Sequence, residues 1–235
     1  FLNGGLFSLA FSHAFLWIIF TFKLIQEINI SYLSSFNLFK KYSYIFTRFS
    51  IPSLFGSSII APTKWLSLLF LINFSNEGLD EIAIYNAANQ WVIALLFLPN
   101  IISKVSLPLL TQIDQKDNNS YINFIKASTT INFSIVFLFS IPIVFASSFL
   151  MGIYGESFIE GEKVLIVGAV TACLISINSS LSNVFLSKAK VWLGFRFNLI
   201  WSLLMLILSY IFTSIGYGAF GLMLAMLISY IIHTI

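Results

Sequence analysis

The sequence has very little charge, since only 9% of its 235 residues are Asp, Glu, Lys or Arg while 58% are hydrophobic. Soluble domains are usually about 25% charged. So few charges cannot cover a water-facing surface, which excludes a soluble globular protein. The composition predicts an all-α polytopic membrane protein with lipid as its main solvent. No basic run is long enough for a nucleic-acid-binding arm, so no nucleic-acid partner is expected.

Cysteine and catalytic motifs are also scarce. Cys173 is the only cysteine, which excludes an intrachain disulfide and a cysteine-based metal cluster. Zinc-protease, Walker and nucleophile-elbow motifs do not occur. "GYGAFG" (Gly216–Gly221) matches a dinucleotide-binding pattern, but apolar segments flank it and no acidic residue follows. It predicts a tight turn instead, with Gly221 and Ala225 suited to close helix packing. We therefore expect no enzyme activity, no cofactor and no metal.

Seven segments are apolar enough, over about 20 residues, to span a bilayer as helices. They are Gly4–Phe22, Ile51–Asn73, Ile82–Leu107, Phe124–Met151, Val164–Ser187, Phe195–Thr213 and Tyr217–His233. Because the sequence starts at Phe1 and stops inside an apolar run, we expect it to be a piece of a longer protein.

The twelve Lys and Arg residues are distributed unevenly among the connections. Ten lie in the first, third and fifth connections, one lies in the fourth, and Lys64 lies within a span. Basic residues concentrate on the cytoplasmic side, so these odd-numbered connections and the C-terminus are predicted to be cytoplasmic. The long first connection mixes aromatics with Lys40, Lys41 and Arg48. It fits either an interfacial helix or a basic linker between one span and six.

Polar residues inside the spans are the candidates for a functional site. No Asp or Glu lies in the seven segments, yet Lys64 sits in the middle of "SIIAPTKWLSLLFLIN" (Ser58–Asn73). On a helical wheel Ser53, Ser57, Lys64 and Ser67 fall within an arc of roughly 80°. Three further spans carry comparable polar faces: Asn86, Asn89 and Gln90; Ser176, Ser179, Ser180, Asn183 and Ser187; Asn198, Ser202 and Ser209, with Trp201 beside them.

Two interpretations of these polar faces are open. In the first, amides and hydroxyls bond across a dry helix bundle, at about 0.6 kcal/mol each. In the second, they line a hydrated cavity. A lysine at mid-membrane costs roughly 2.5–3.5 kcal/mol, and either such a cavity or an acidic residue in another part of the protein would lower that cost. Hydroxyls, amides and a Trp face suit sugars, and an ammonium suits phosphate. The second interpretation gives these substrate-binding candidates: Lys64, Ser57, Ser67, Asn86, Asn89, Gln90, Asn183, Asn198 and Trp201.

Three stretches resemble a known family. They are "IAIYNAANQWVIALLFLPNIISKVSLPLLTQ" (82–112), "MGIYGESFIEGEKVLIV" (151–167) and "SNVFLSKAKVWLGFRFNLI" (182–200). In order and spacing they resemble the helix seven-to-eight region, the loop between helices nine and ten, and the basic turn into helix eleven of Wzx-type O-antigen and exopolysaccharide repeat-unit flippases. That family belongs to the multidrug/oligosaccharidyl-lipid/polysaccharide (MOP) exporter superfamily.

The resemblance implies twelve helices in two six-helix lobes, with both termini in the cytoplasm. It makes residues 1–22 the last helix of the first lobe, 23–50 a cytoplasmic linker and 51–235 the second lobe. It also implies that undecaprenyl-pyrophosphate-linked oligosaccharide crosses the bacterial inner membrane by alternating access. Lys64 would then be a cationic residue of the transport cavity. Coupling of transport to H⁺ or Na⁺ is left open. The alternatives are an ion-coupled drug exporter of the same superfamily, a membrane polysaccharide polymerase or glycosyltransferase, and an inactive remnant.

Overall fold

The computed structural model describes residues 11–12, 14–23, 43–75, 78–113 and 118–235. The chain divides into two compact units, Phe1–Thr47 and Arg48–Ile235. In the first unit, helix α1 comprises Ala14–Lys23. The predicted span Gly4–Phe22 is therefore described only in part, and Lys40, Lys41 and Lys116 lie outside the described residues. The assignment of residues 1–22, 23–50 and 51–235 to lobe, linker and second lobe stays a prediction.

The described residues of the second unit are almost entirely helical. Their helices are α2 (Ile51–Ser58), α3 (Ile60–Phe74), α4 (Gly78–Leu95), α5 (Phe97–Gln112), α6 (Asn118–Phe145), α7 (Ser147–Gly152), α8 (Glu162–Ser187), α9 (Val191–Ser214) and α10 (Gly218–Thr234). A 3₁₀ turn, Glu156–Gly161, leads into α8. The all-α polytopic membrane fold that the composition predicts is confirmed.

The helices of the second unit overlap the last six predicted spans, but not all of these spans are continuous. Counting the bent pair α4–α5 as one span, up to five segments are long and apolar enough to cross a membrane, while α1 and α10 are shorter apolar helices. The predicted span Ile82–Leu107 is two helices bent by 45°. Pro99 causes the bend, because it lacks an N–H and its ring clashes with the carbonyl four residues earlier. A break at Ala146 also divides the predicted span Phe124–Met151, whereas α2 and α3 belong to one continuous helical segment, Ser43–Phe74.

Helix α8 lies at the centre of the second unit, where it contacts α4, α5, α6, α9 and α10. Small buried residues on it, such as Gly168, Ala169 and Ala172, let its neighbours approach closely. A Cβ on Gly168 would lie only 2.8 Å from Cγ2 of Val92 on α4. Close packing of small residues is the usual basis of helix association in lipid, where apolar burial gives little driving force.

The predicted glycine turn joins α9 to α10 and is confirmed. Gly216 and Gly218 have φ angles of +93° and +51°, which favour glycine. The N–H of Tyr217 donates to the carbonyl of Phe212 at 3.0 Å, which closes a Schellman cap on α9. A Cβ on Gly221 would lie 2.8 Å from Cβ of Phe212, so this glycine allows the close approach of the two helices.

Candidate functional site

Two pockets lie side by side at one end of the helix bundle. The larger has a volume of about 460 Å³ and lies among α2, the end of α8, the start of α9 and the end of α10. We call it the helix-end cavity. The smaller, the basic pocket, has a volume of about 300 Å³ and is lined by Arg48, Ala189, Lys190, Trp192, Leu193 and Arg196. The charge distribution predicts that this end of the bundle is cytoplasmic.

The helix-end cavity has mostly apolar walls, and polar side chains tie its helices together. Nδ2 of Asn198 on α9 donates to the carbonyl of Gly56 on α2 at 3.2 Å. Nδ2 of Asn178 on α8 donates to Oγ1 of Thr234 on α10 at 2.8 Å. His233 also lines the cavity, and both of its ring nitrogens are buried without a hydrogen-bond partner among the described residues. The cavity therefore combines apolar surface with a buried imidazole whose hydrogen-bonding groups are unsatisfied.

Two of the nine predicted site residues, Ser57 and Asn198, line the helix-end cavity. Ser57 is exposed, but its Oγ donates within its own helix, to the carbonyl of Ser53 at 3.0 Å or of Leu54 at 3.1 Å. The nitrogen of the Asn198 amide is engaged with α2, as described above. Both residues therefore line the cavity, but the Ser57 hydroxyl and the Asn198 amide nitrogen already donate hydrogen bonds within the protein.

Three of the nine lie between helices. Ser67 is fully buried, and its Oγ donates to the carbonyl of Thr63 at 2.9 Å. Nδ2 of Asn183 on α8 donates to the carbonyl of Ser103 on α5 at 2.8 Å. Trp201 is buried, and its ring lies 5.3 Å from that of Tyr230. These contacts agree with the helix-packing interpretation of the polar faces, and a role for these residues in substrate binding stays a prediction.

The other four, Lys64, Asn86, Asn89 and Gln90, lie on α3 and α4 outside the packed interior. Asn89 is half-buried and the other three are exposed. Oε1 of Gln90 accepts a hydrogen bond from the hydroxyl of Tyr154 at 3.4 Å. Within the described part of the chain, Lys64 has no hydrogen-bond or ion-pair partner. The nine residues therefore do not form one site within this unit.

Several polar residues that are not among the nine predicted site residues form hydrogen bonds between helices. Asn132 of α6 is fully buried, and its Nδ2 donates to Oγ of Ser180 at 2.7 Å and of Ser103 at 3.2 Å. Oγ of Ser103 also lies 2.6 Å from Oγ of Ser179. On α6, Asn132 lies in one buried row with Ser128 and Ser140, at spacings of four and eight residues, and this periodic polar row is the signal that could have marked it. The serines of α8 mark the face to which it binds.

The chain is similar in sequence to two proteins named for polysaccharide export and for lipopolysaccharide biosynthesis. No protein-family model matches the chain. Over 78% of its length, the chain is 23% identical to the EPS I polysaccharide export inner membrane protein EpsE of Ralstonia nicotianae, and it covers 42% of that protein. Over 77% of its length, it is 25% identical to the lipopolysaccharide biosynthesis protein WzxC of Escherichia coli, and it covers 40% of that protein. The chain thus spans less than half the length of these relatives.

The chain is also similar in fold to solved structures of membrane transporters. A MOP superfamily transporter from Pyrococcus furiosus matches 80% of the chain with a TM-score of 0.68 and 19% identity, over 42% of that transporter. An outward-facing multidrug resistance MATE family transporter of the MOP superfamily matches equally well, with a TM-score of 0.68. The chain has the fold of the MOP-superfamily transporters. The resemblance found in the sequence to polysaccharide exporters of this superfamily is confirmed.

Proposed function

We propose that the chain belongs to a bacterial inner-membrane flippase for polysaccharide repeat units linked to undecaprenyl pyrophosphate. The substrate would pass from the cytoplasmic to the periplasmic leaflet by alternating access, with the C-terminus in the cytoplasm and without covalent chemistry. Polysaccharide export by EpsE and the part of WzxC in lipopolysaccharide biosynthesis support polysaccharide as the cargo, and the MOP-type fold supports transport. Because the chain covers 40–42% of these relatives, the proposal concerns the whole protein.

The single observation that carries the substrate class is the exposed Lys64 of α3. Its side chain points away from the packed interior, on a helix that is otherwise strongly apolar. Facing lipid, it would cost roughly 2.5–3.5 kcal/mol. A hydrated cavity lowers that cost and brings the ammonium to an anionic substrate, where a compact charge on a flexible stem can follow a phosphate. Asn86, Asn89 and Gln90 of the neighbouring α4 would bind sugar hydroxyls.

Substitution of Lys64 in the full-length protein tests this role. Lys64→Ala should abolish export of surface polysaccharide and leave lipid-linked repeat units in the membrane, while Lys64→Arg should retain part of the activity. Lys126→Ala removes an exposed lysine from α6 and is the matched control. Full export by a Lys64→Ala protein present at the normal level would remove Lys64 from the mechanism.

A drug exporter of the same superfamily is the second candidate, because a multidrug MATE transporter shares the fold. Exporters of cationic drugs typically use carboxylates within the membrane, whereas the seven predicted spans contain none. Drug susceptibility of a host that lacks its own exporters separates the two functions. Raised drug resistance together with normal polysaccharide output in a deletion strain would favour the drug exporter.

A membrane-bound polymerase or glycosyltransferase would need catalytic acids near the membrane surface. Glu156 and Glu160 are exposed in the turn before α8 and are the obvious candidates. In the described part of the chain, no group of His, Cys, Asp and Glu side chains could hold a metal ion. Because a flippase needs no catalytic acid at this turn, Glu156→Gln together with Glu160→Gln should leave polysaccharide output unchanged. Loss of output at a normal protein level would favour the enzyme.

A further inference from the structure

The basic pocket gathers positive charge at the turn between α8 and α9. Arg48, Lys190 and Arg196 line it, together with Trp192 and Leu193. The sequence has no Asp or Glu between Glu27 and Glu77, and none after Glu162. Among the described residues that line the pocket, three are thus cations and none is a carboxylate. Such a pocket attracts an anion, and three cations suit a phosphate group better than a single carboxylate.

The turn that carries these cations has a fixed geometry. The N–H of Lys190 donates to the carbonyl of Phe185 at 2.8 Å, and that of Ala189 to the carbonyl of Leu186 at 3.1 Å. These two bonds form a Schellman motif, with Ala189 in the left-handed region at φ 53°. The backbone therefore holds Lys190 at the mouth of the pocket.

The basic pocket and the helix-end cavity share the first turns of α9 as a common wall. Lys190, Trp192, Leu193 and Arg196 face the basic pocket, while the residues between them face the helix-end cavity. Those residues are Val191, Gly194 and Phe195. Gly194 contributes no side chain, and a Cβ there would only touch Phe185 at 3.6 Å. An elongated ligand can thus place one end among the cations and the other among apolar side chains.

The helix-end cavity suits the apolar end of such a ligand. Its volume of about 460 Å³ lies within the range of pockets that hold drug-sized molecules, and apolar side chains such as Leu181, Phe185 and Phe195 line most of it. The cavity reaches inward from the level of the basic turn, to Asn178 on α8 and Ile60 on α3. It therefore runs from the membrane surface toward the interior, as a lipid chain does.

We propose that the basic pocket and the helix-end cavity together bind one anionic, phosphate-bearing lipid of the adjoining leaflet. Its phosphate contacts Arg48, Lys190 and Arg196, and one apolar chain enters the cavity. Basic pockets between transmembrane helices on the cytoplasmic side are known to bind anionic lipid headgroups. Trp192 is exposed in the first turn of α9, next to the basic turn, and tryptophans beside such charged helix ends typically anchor membrane proteins at the interface. Lys64 lines neither the cavity nor the basic pocket, although two of the predicted substrate-binding residues, Ser57 and Asn198, line the cavity.

Binding of phosphatidylglycerol to the purified full-length protein, measured by native mass spectrometry, tests the proposal. Phosphatidylcholine and inorganic phosphate serve as the other two ligands, because each lacks one of the required features. Lys190→Gln combined with Arg196→Gln removes two of the cations, and both side chains are exposed. Lys126→Gln combined with Lys188→Gln is the matched control. Lys188 lies on the same turn but outside the pocket, with Nζ 4.5 Å from the Tyr121 ring centroid.

We expect one phosphatidylglycerol to bind more tightly than phosphatidylcholine, and inorganic phosphate to compete only weakly. The Lys190/Arg196 double variant should bind it roughly 30-fold more weakly, from the contribution of each basic residue near a membrane surface. The control pair should stay within about threefold of the wild type, because the charge it removes lies outside the pocket. Ser182→Phe, which fills the cavity from an exposed position, should also weaken lipid binding.

Three results would overturn the proposal. Equal losses in the two double variants would mean diffuse attraction to the basic surface. Unchanged lipid binding by Ser182→Phe would mean that no chain enters the cavity. Displacement of the lipid by inorganic phosphate at matched concentration would mean a simple anion site.

Discussion

Replacement of Gly218 by alanine should destabilise the protein through a contact between distant parts of the chain. The N–H of Ala219 at the start of α10 donates to Oε2 of Glu81 on α4 at 2.6 Å. Gly218 has a φ of +51°, and a Cβ on it would overlap the Glu81 carboxylate. The substitution therefore strains the backbone and also displaces the carboxylate that caps α10.

The expected loss in the free energy of unfolding follows from these two effects. An alanine in the left-handed region costs about 1–2 kcal/mol. Loss of a hydrogen bond to a charged group costs about 1.5–3 kcal/mol. The smaller conformational freedom of alanine in the unfolded chain offsets about 0.4–1 kcal/mol. Gly218→Ala should thus lower the free energy of unfolding by about 2–4 kcal/mol. At Gly216, where a Cβ would meet nothing within 4 Å, alanine should cost only about 1 kcal/mol because only backbone strain is added.

Reversible unfolding of the full-length protein in mixed detergent micelles, followed by tryptophan fluorescence, gives these free energies. The double variant Gly218→Ala/Glu81→Ala should be less destabilised than the sum of its single variants, since each of them removes the same cap. Equal effects at Gly218 and Gly216, or strict additivity with Glu81→Ala, would refute the reasoning.

Three further predictions concern the turns, the buried polar cluster and the topology. Ala189→Gly should raise the free energy of unfolding by about 0.5–1 kcal/mol in the same assay, because φ at this position is 53°; a loss of stability would contradict it. Asn132→Leu should change it by less than about 1 kcal/mol, since hydrogen bonds in membranes are weak and Oδ1 of Asn132 has no partner among the described residues; a loss of several kcal/mol would assign the cluster a larger role. In a Cys173→Ala background, Asn118→Cys should resist an impermeant maleimide in intact cells, because the third connection is predicted to be cytoplasmic; labelling there would overturn the topology.

The helices and the α9–α10 turn could be predicted from the sequence because their signals are local. Apolar length marks each span, and the two glycines of the turn are needed for positive φ angles. Pro99 also marks a kink, although the hydropathy of Ile82–Leu107 suggests one continuous span. Hydropathy averages over about 19 residues, so it does not register the loss of a single backbone hydrogen bond.

The candidate site could be predicted only in part, because a helical wheel does not show which face packs. Lys64 and Ser67 lie only about 60° apart on the wheel. In the structure Lys64 is exposed while Ser67 is fully buried, so the edge of the packed face runs between them. The helix-end cavity combines α2 and the start of α3 with α8, α9 and α10, which come much later in the chain, and no pattern in any one of them marks it.

Transbilayer movement of a lipid-linked oligosaccharide in proteoliposomes is the measurement that tests the proposed function most directly. The full-length protein would be reconstituted with undecaprenyl-pyrophosphate-linked repeat units, and their arrival in the opposite leaflet would be followed with an impermeant lectin or glycosidase. The proposed function predicts movement with the wild-type protein, partial movement with Lys64→Arg, and none with a folded Lys64→Ala protein. Equal rates for wild type and Lys64→Ala, or no movement above protein-free vesicles, would contradict it.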